Sequence, residues 1–306
     1  MEGLKELIRP PFANCDVVVY FGGGLFCIPF VNRYLMEPMN LEWPKFSIHV
    51  GSPFADEIVS GLSLVFFVYI VGHILAYVSS QIIEKMTDRI LGKISTSIIV
   101  SAWSSPKSRN ELVRSVIYDK IKKIRQDKAI IPTVVRGIAH APAIPVYIAI
   151  YALGVFSYYE TRVPYSVIRL VRDKIEEIGV PNLKFGIREK WFKPLEYFVI
   201  NRFPSAVVRM YNYLVIGGLF RTLCLIFLIS MWFQLYYALH FQEDGDWFLR
   251  PFMGSSRKIS ILWEYICSSF LYLFCFCSYL KFQRRYAEEA IFAFAFGIRS
   301  EASKED

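Results

Sequence analysis

The stretch from Glu57 to Ser80 reads EIVSGLSLVFFVYIVGHILAYVSS and decides the fold class. It is apolar almost throughout from Ile58 to Val78, and no Asp, Glu, Lys or Arg occurs between Glu57 and Glu84. About twenty helical residues, at a rise of 1.5 Å each, cross the roughly 30 Å hydrocarbon core of a bilayer. The stretch therefore predicts a transmembrane helix.

The composition of the 306-residue chain agrees with a membrane location. Hydrophobic residues make up 54% of it and aromatic residues 17%, and the mean hydropathy is +0.35. These values are high for an ordinary soluble domain. Charged residues among positions 1–15, and the lack of a long apolar run there, argue against a cleavable signal peptide. We expect the chain to insert through its own helices.

Three further stretches have the length and apolar character of spans: residues 16–35, 213–241 and 259–281. A fifth candidate, residues 138–159, is as apolar as these. It has Pro142 and Pro145 near its start, and proline removes a backbone donor and breaks a helix. Hydropathy alone therefore leaves four or five spans open.

The distribution of charge favours four spans. Residues 81–212 contain 22 Lys and Arg against 11 Asp and Glu, a net charge of +11 in a chain whose total is +8. If residues 138–159 crossed the membrane, either 81–137 or 160–212 would lie outside with its basic residues. Basic loops stay on the cytoplasmic side. We therefore place all of residues 81–212 in the cytoplasm.

The predicted fold is an all-α integral membrane protein with four transmembrane helices arranged as two hairpins. The first hairpin lies in residues 1–80 and the second in 213–285, with a basic, helical cytoplasmic domain between them at 81–212. Residues 286–306 are expected to form an interfacial helix and a disordered tail, and both termini are cytoplasmic. Within the domain, residues 138–159 are re-entrant, interfacial or a domain core; a full fifth span is the remaining alternative.

Two amphipathic helices are predicted in the cytoplasmic domain. One opens at a capping box, Ser108 to Glu111, and carries one apolar and one basic face. The basic face consists of Arg114, Lys120, Lys122, Lys123, Arg125 and Lys128. The other helix lies between Pro164 and Gly179, and Pro204 is predicted to begin the helix of the third span.

The basic face has several candidate partners. Anionic lipid headgroups are the first expectation, because lysine and arginine gather at the inner leaflet of membranes. A cytosolic protein or a nucleotide is the second. Nucleic acid is the least favoured, since the chain contains no recognisable nucleic-acid-binding signature.

No motif for catalysis or metal binding is found. The sequence contains no G-x-x-x-x-G-K-[ST], H-E-x-x-H or G-x-S-x-G and no paired C-x-x-C. Its six cysteines and four histidines show no ligand spacing. The glycine triplet Gly22 to Gly24 lacks the lysine of a phosphate loop and is interpreted as a flexible or closely packed point in a span. We predict a non-enzymatic protein with no catalytic residue, metal site or cofactor.

Polar side chains inside the predicted spans form the candidate intramembrane site. Arg221 and Glu264 should lie on opposite sides of the bilayer midplane, so a direct salt bridge between them is not expected. His73 is predicted at the level of Arg221, and Tyr77 lies one helical turn beyond it. His73 and Arg221, together with Tyr77, are interpreted as a polar girdle that lines an inner vestibule or binds an anionic group. The alternative is that Arg221 reaches the inner phosphates while His73 bonds to a neighbouring helix.

These features lead to a function hypothesis. We predict an oligomeric membrane effector or channel-like assembly whose basic domain senses or recruits a cytosolic partner. Homo-oligomers are expected because four helices rarely enclose a water path. The alternatives are a membrane anchor or scaffold without conduction, and a small transporter subunit, although no inverted repeat is seen. The absence of an N-x-[ST] acceptor and of a signal peptide favours a prokaryotic protein of the bacterial inner membrane.

Overall fold

The computed structural model describes residues 16–36, 53–90, 130–152, 163–178, 192–240 and 261–302. Within these ranges the chain is almost entirely helical and contains no strand. The predicted all-α class is confirmed for this part of the chain. The predicted basic face, from Arg114 to Lys128, lies outside the described residues.

Nine α-helices are described, and we number them in chain order. They are α1 (Gly22–Val31), α2 (Pro53–Ser79), α3 (Lys85–Ile90), α4 (Ile130–Ala139), α5 (Ile144–Ala152), α6 (Tyr165–Ile178), α7 (Phe192–Arg202), α8 (Pro204–His240) and α9 (Ile261–Ala302). Wider π-helical turns flank α1 at Asp16–Phe21 and Asn32–Met36, and another, Ser80–Glu84, joins α2 to α3. A short 3₁₀ turn, Ala141–Ala143, separates α4 from α5.

Four helical stretches are long and apolar enough to cross a membrane: Val17–Tyr34, Phe54–Asp88, Pro204–Tyr237 and Trp263–Gly297. Among the described residues, the number of apolar helices long enough to span agrees with the predicted four. Three of these stretches are longer than the predicted spans, whereas Val17–Tyr34 is not. At 42 residues, α9 is about 63 Å long and runs without a break through the predicted interfacial helix. As predicted, α8 begins at Pro204.

The described chain divides into two compact units. The first contains Met1–Lys85, Ala139–Leu153 and Gly218–Ser278; the second contains Met86–Ile138, Gly154–Gly217 and Tyr279–Asp306. The first unit therefore includes α1, α2, α5 and most of the apolar length of α8. The second includes α6, α7 and the C-terminal part of α9.

Glycines bring α1 and α2 into backbone contact in the first unit. A Cβ atom on Gly24 would overlap the carbonyl group of Val68, and one on Gly72 would overlap the backbone of Tyr20. Only glycine allows two helix backbones to approach this closely. The interpretation of the glycine triplet as a closely packed point is confirmed at Gly24.

An apolar core holds the second unit together. The predicted helix after Pro164 is confirmed as α6, and its Ile168, Val171 and Ile175 are buried. They pack with Val199 of α7 and with buried residues of α8 and α9. Among the core side chains, α6 also carries a buried cation, Lys174, whose Nζ donates to the carbonyl oxygen of Ala295 at 2.6 Å.

The close approach of α1 and α2 generates a stability prediction. We expect Gly72→Ala to destabilise the protein by about 2–3 kcal/mol, because the added methyl group must push the Tyr20 backbone away. The measurement is the melting temperature of the purified protein in detergent. Gly61→Ala is the matched control in the same helix, since nothing lies within 4 Å of that position. Equal melting temperatures for the two variants would contradict the contact.

Candidate intramembrane polar site

An ion pair between Arg33 and Glu264 anchors the polar site of the first unit. Arg33 lies in the π-helical turn after α1, and Glu264 lies in the first turn of α9. Nη2 of Arg33 is 2.5 Å from Oε1 of Glu264, and the two side chains are only 8% and 19% exposed. Charges inside a membrane protein are costly unless they are paired, so each side chain makes the other tolerable.

Four neutral polar side chains form a hydrogen-bonded group beside this pair: Tyr34 in the π-helical turn after α1, Ser230 and Gln234 on α8, and Ser268 on α9. We call these four residues, together with Arg33 and Glu264, the Arg33–Glu264 cluster. Ser230 and Gln234 are one turn apart on α8, and Ser268 is one turn after Glu264 on α9.

The amide nitrogen of Gln234 contacts each of the other three side chains in the neutral group. Its Nε2 lies 3.0 Å from the hydroxyl oxygen of Tyr34, 3.1 Å from that of Ser230 and 2.9 Å from that of Ser268. The Ser230 hydroxyl also donates to the Tyr34 hydroxyl at 3.1 Å. These four residues are buried. The network therefore joins the end of the first span to α8 and α9 through polar bonds.

Two buried oxygens of the cluster are without a hydrogen-bond partner among the described residues. They are Oε2 of Glu264 and Oε1 of Gln234. A buried acceptor without a donor costs free energy, and such groups in native structures usually indicate a bound water, an ion or a functional role. The cluster can thus accept further donors at two points, which a purely structural ion pair does not require.

Aromatic rings surround the Tyr34 end of the cluster. The ring of Tyr34 stacks on Phe233 with centroids 5.2 Å apart, and the hydroxyl of Tyr237 donates to the Tyr34 carbonyl at 3.3 Å. Phe30 also packs at this position. The apolar rings exclude water from the neighbouring polar bonds, and exclusion of water strengthens them.

A second ion pair forms at Arg221. Nη1 of Arg221 pairs with Oε2 of Glu84, and its Nε donates to the hydroxyl of Ser79 at 3.2 Å. The pair joins α8 to the π-helical turn that follows α2. Arg221 is mostly buried, whereas Glu84 is about 40% exposed. Arg221 is thus neutralised by a carboxylate at the end of the second span.

The other predicted site residues lie elsewhere. His73 stacks on Tyr20 at a centroid distance of 3.6 Å, with Tyr69 edge-on at 4.6 Å. Tyr77 is exposed. His73 and Arg221 thus have different described partners, and Glu264 has yet another, Arg33. The described contacts do not join His73 to Arg221, the two residues around which the girdle was predicted.

Sequence reasoning missed the acidic and basic partners of these charges. Arg33 is visible near the end of the first predicted span, and Glu84 is the first charged residue after the second. Each could have been noted as a charge at a span end. Nothing in the sequence indicates which opposite charge it meets, because the pairs join residues 231 and 137 positions apart.

A separate buried chain of hydrogen bonds involves His140. The hydroxyl of Tyr147 is 2.9 Å from Nδ1 of His140 and 2.7 Å from the hydroxyl of Tyr272. Nε2 of His140 lies 3.3 Å from the carbonyl oxygen of Ile82. The carbonyl can only accept, so Nε2 carries a proton, and in a neutral imidazole Tyr147 would then donate to Nδ1 and Tyr272 to Tyr147. His140 therefore joins the π-helical turn Ser80–Glu84 to the 139–152 segment.

The described parts of the chain contain no candidate metal site. No group of three or more His, Cys, Asp or Glu side chains there could hold an ion. The described cysteines, Cys27, Cys224, Cys267, Cys275 and Cys277, are free thiols.

Comparison of this chain with protein-family models, with curated proteins and with solved structures finds no match.

The Arg33–Glu264 pair generates a second prediction. Replacement of Glu264 by Gln leaves the buried guanidinium of Arg33 without a counter-charge, and we expect a loss of about 3 kcal/mol in stability. The double variant Arg33→Gln with Glu264→Gln should recover part of that loss, because no lone charge remains buried. Melting temperatures of the two single variants and the double variant provide the measurement.

The control for this cycle is the ion pair of Arg209 and Glu289, whose Arg209 side chain is about half exposed. Arg209→Gln should cost less than about 1 kcal/mol, as exposed pairs do. An additive double variant at Arg33 and Glu264 would show that the two side chains do not interact.

Proposed function

We propose that this chain is a non-enzymatic, multi-pass membrane protein that works as an oligomeric, channel-like membrane effector. The Arg33–Glu264 cluster carries this proposal. Ionised and amide side chains inside a membrane protein are expensive, and they mark ion paths, gates or substrate contacts more often than passive packing. Two acceptor oxygens left without donors at Glu264 and Gln234 are consistent with a site that meets water or a cation.

Oligomer formation is part of the proposal. The second span exposes large apolar side chains along its length, including Leu62, Phe66 and Ile70, and little of it is buried within the chain. Such a face requires either lipid or a second copy. Four spans enclose a water path only with help from neighbouring copies, so we place copies of the chain around a shared axis.

The proposed layout puts residues 81–212 on the cytoplasmic side with both termini, with residues 138–159 as a segment that can re-enter the bilayer. The net charge of +11 in that region supports this side. The region then recruits a cytosolic protein or nucleotide, or binds anionic lipid headgroups of a bacterial inner membrane. The predicted basic face from Arg114 to Lys128 is the candidate contact, and it lies outside the described residues.

The second candidate function is an anchor or scaffold without conduction. One observation favours it: Arg33, Glu264 and Arg221 each have an oppositely charged partner in the described structure. Paired charges stabilise a fold as well as a pore. The two candidates differ in whether ions cross the membrane, which a flux measurement decides.

Ion flux through vesicles tests the conduction hypothesis. We expect purified protein, reconstituted into vesicles that contain a potassium-sensitive dye, to raise flux above that of protein-free vesicles under an applied voltage or pH gradient. Glu264→Gln should change that flux by about tenfold, which corresponds to about 1.4 kcal/mol on the barrier. Arg209→Gln, which alters an ion pair of the second unit, is the control and should leave it unchanged.

Two outcomes would contradict the proposal. Flux equal to that of protein-free vesicles under every gradient would leave the anchor as the remaining function. A mass measurement in nanodiscs that finds only single copies would remove the oligomer.

A further inference from the structure

The segment from Ala139 to Ala152 is a broken helix packed inside the first unit. The chain leaves α4, turns through Ala141–Ala143 and continues as α5. The nine described residues of α5 extend about 14 Å.

Side chains of the spans bond to the backbone at this break. Nε1 of Trp232 donates to the carbonyl oxygen of Ala139 at 2.9 Å. The hydroxyl of Tyr265 donates to the carbonyl oxygen of Pro142 at 2.5 Å. Trp232 lies within the apolar stretch Pro204–Tyr237, and Tyr265 within Trp263–Gly297.

A third bond has the opposite direction. His140, at the break itself, lies against the carbonyl of Ile82 within the apolar stretch Phe54–Asp88, and it receives the hydroxyl of Tyr147. Three of the four apolar stretches thus contact the break through named polar atoms. The segment belongs among the spans rather than beside them.

The chemistry of these bonds indicates depth in the bilayer. A break in a helix leaves carbonyl oxygens without their usual donors, and in water the solvent satisfies them. In hydrocarbon there is no such solvent, so irregular backbone persists only where protein groups take its place. Indole N–H and phenol O–H groups of the spans fill that role here.

The outer face of α5 is apolar. Ile144 and Ile148, one turn apart, are 54% and 64% exposed, while Ala143, Val146 and Tyr147 on the other side are buried or packed inward. Exposed isoleucines on an element held among transmembrane helices continue the apolar surface that the spans present. Acyl chains are the partner that fits such a face.

We propose that α5 is embedded in the bilayer, with Ile144 and Ile148 in contact with lipid acyl chains. The placement rests on the bonds to the spans and does not rest on conduction. With the four-span layout, the segment is re-entrant. The carbonyl oxygens of Ala139 and Pro142 already accept hydrogen bonds from Trp232 and Tyr265. We therefore interpret the break as a packing contact and not as a filter of carbonyl oxygens for ions.

Collision accessibility of a nitroxide at position 148 tests the proposal. The label is attached through p-acetylphenylalanine, because the chain contains native cysteines. In lipid nanodiscs we expect Ile148 to be reached by oxygen and shielded from the nickel chelate NiEDDA. Two positions in the same chain calibrate the signal: exposed Phe270 in α9 for lipid, and exposed Arg169 in α6 for water.

A label at Ile148 that behaves like the one at Arg169 would overturn the proposal, because the face would meet water. A label shielded from both reagents would overturn it as well, since protein, such as a second copy, would cover the face. Neither result depends on ion flux, so a failure here is distinct from a failure of the proposed function.

A second measurement tests the bonds themselves. Trp232→Phe removes the indole N–H that reaches Ala139 and should lower the melting temperature by about 2–5 °C. Trp263→Phe is the matched control, since Trp263 is exposed and no hydrogen bond of its indole is described. Equal shifts for the two variants would show that the Ala139 carbonyl does not need this donor.

Discussion

Charge neutralisation inside apolar helices is the constraint on which this structure depends. The described spans contain a buried arginine at each of two places, Arg33 and Arg221, and each meets a carboxylate from a different element. Without these partners the helices could not keep the charges away from water at tolerable cost. The ion pairs therefore select which helices are neighbours, since an apolar surface alone does not distinguish one partner helix from another.

Backbone contact provides the second level of specificity. At Gly24 and Gly72, α1 and α2 approach until one backbone meets the other, which leaves no room for any side chain. In a bilayer, lipid tails are as apolar as leucine, so helices gain their affinity from such close packing and from polar bonds. The cluster around Gln234 then supplies the polar bonds that join the first span to α8 and α9.

The two functional proposals rest on different parts of the first unit. The Arg33–Glu264 cluster combines buried charge with acceptor oxygens that lack donors, which is the pattern expected where ions or water meet protein. The broken segment at His140 shows the reverse pattern, because its backbone carbonyls are satisfied by the spans. The proposed channel-like role therefore rests on the cluster and not on the break.

The sequence by itself determined the elements whose signal is local. Runs of apolar residues predicted four spans, and proline with glycine predicted α6 and the start of α8, because length, periodicity and helix-end chemistry depend only on near neighbours. A further helix was also expected within residues 286–306, and α9 continues into this region because the charged residues after Leu280 do not break a helix. Pro142 and Pro145 also correctly indicated a break, although not what holds it.

Tertiary structure decided the partners. Arg221 was expected beside His73, on the ground that both lie at one level, but level does not fix the direction in which a side chain points around its helix. The structure pairs Arg221 with Glu84, while His73 stacks on Tyr20. Glu264 likewise meets Arg33, a residue 231 positions away. Contacts between distant segments depend on the rotation of each helix about its axis and on the angles at which helices cross. These are set by the packing of the whole unit, so no local sequence pattern predicts them.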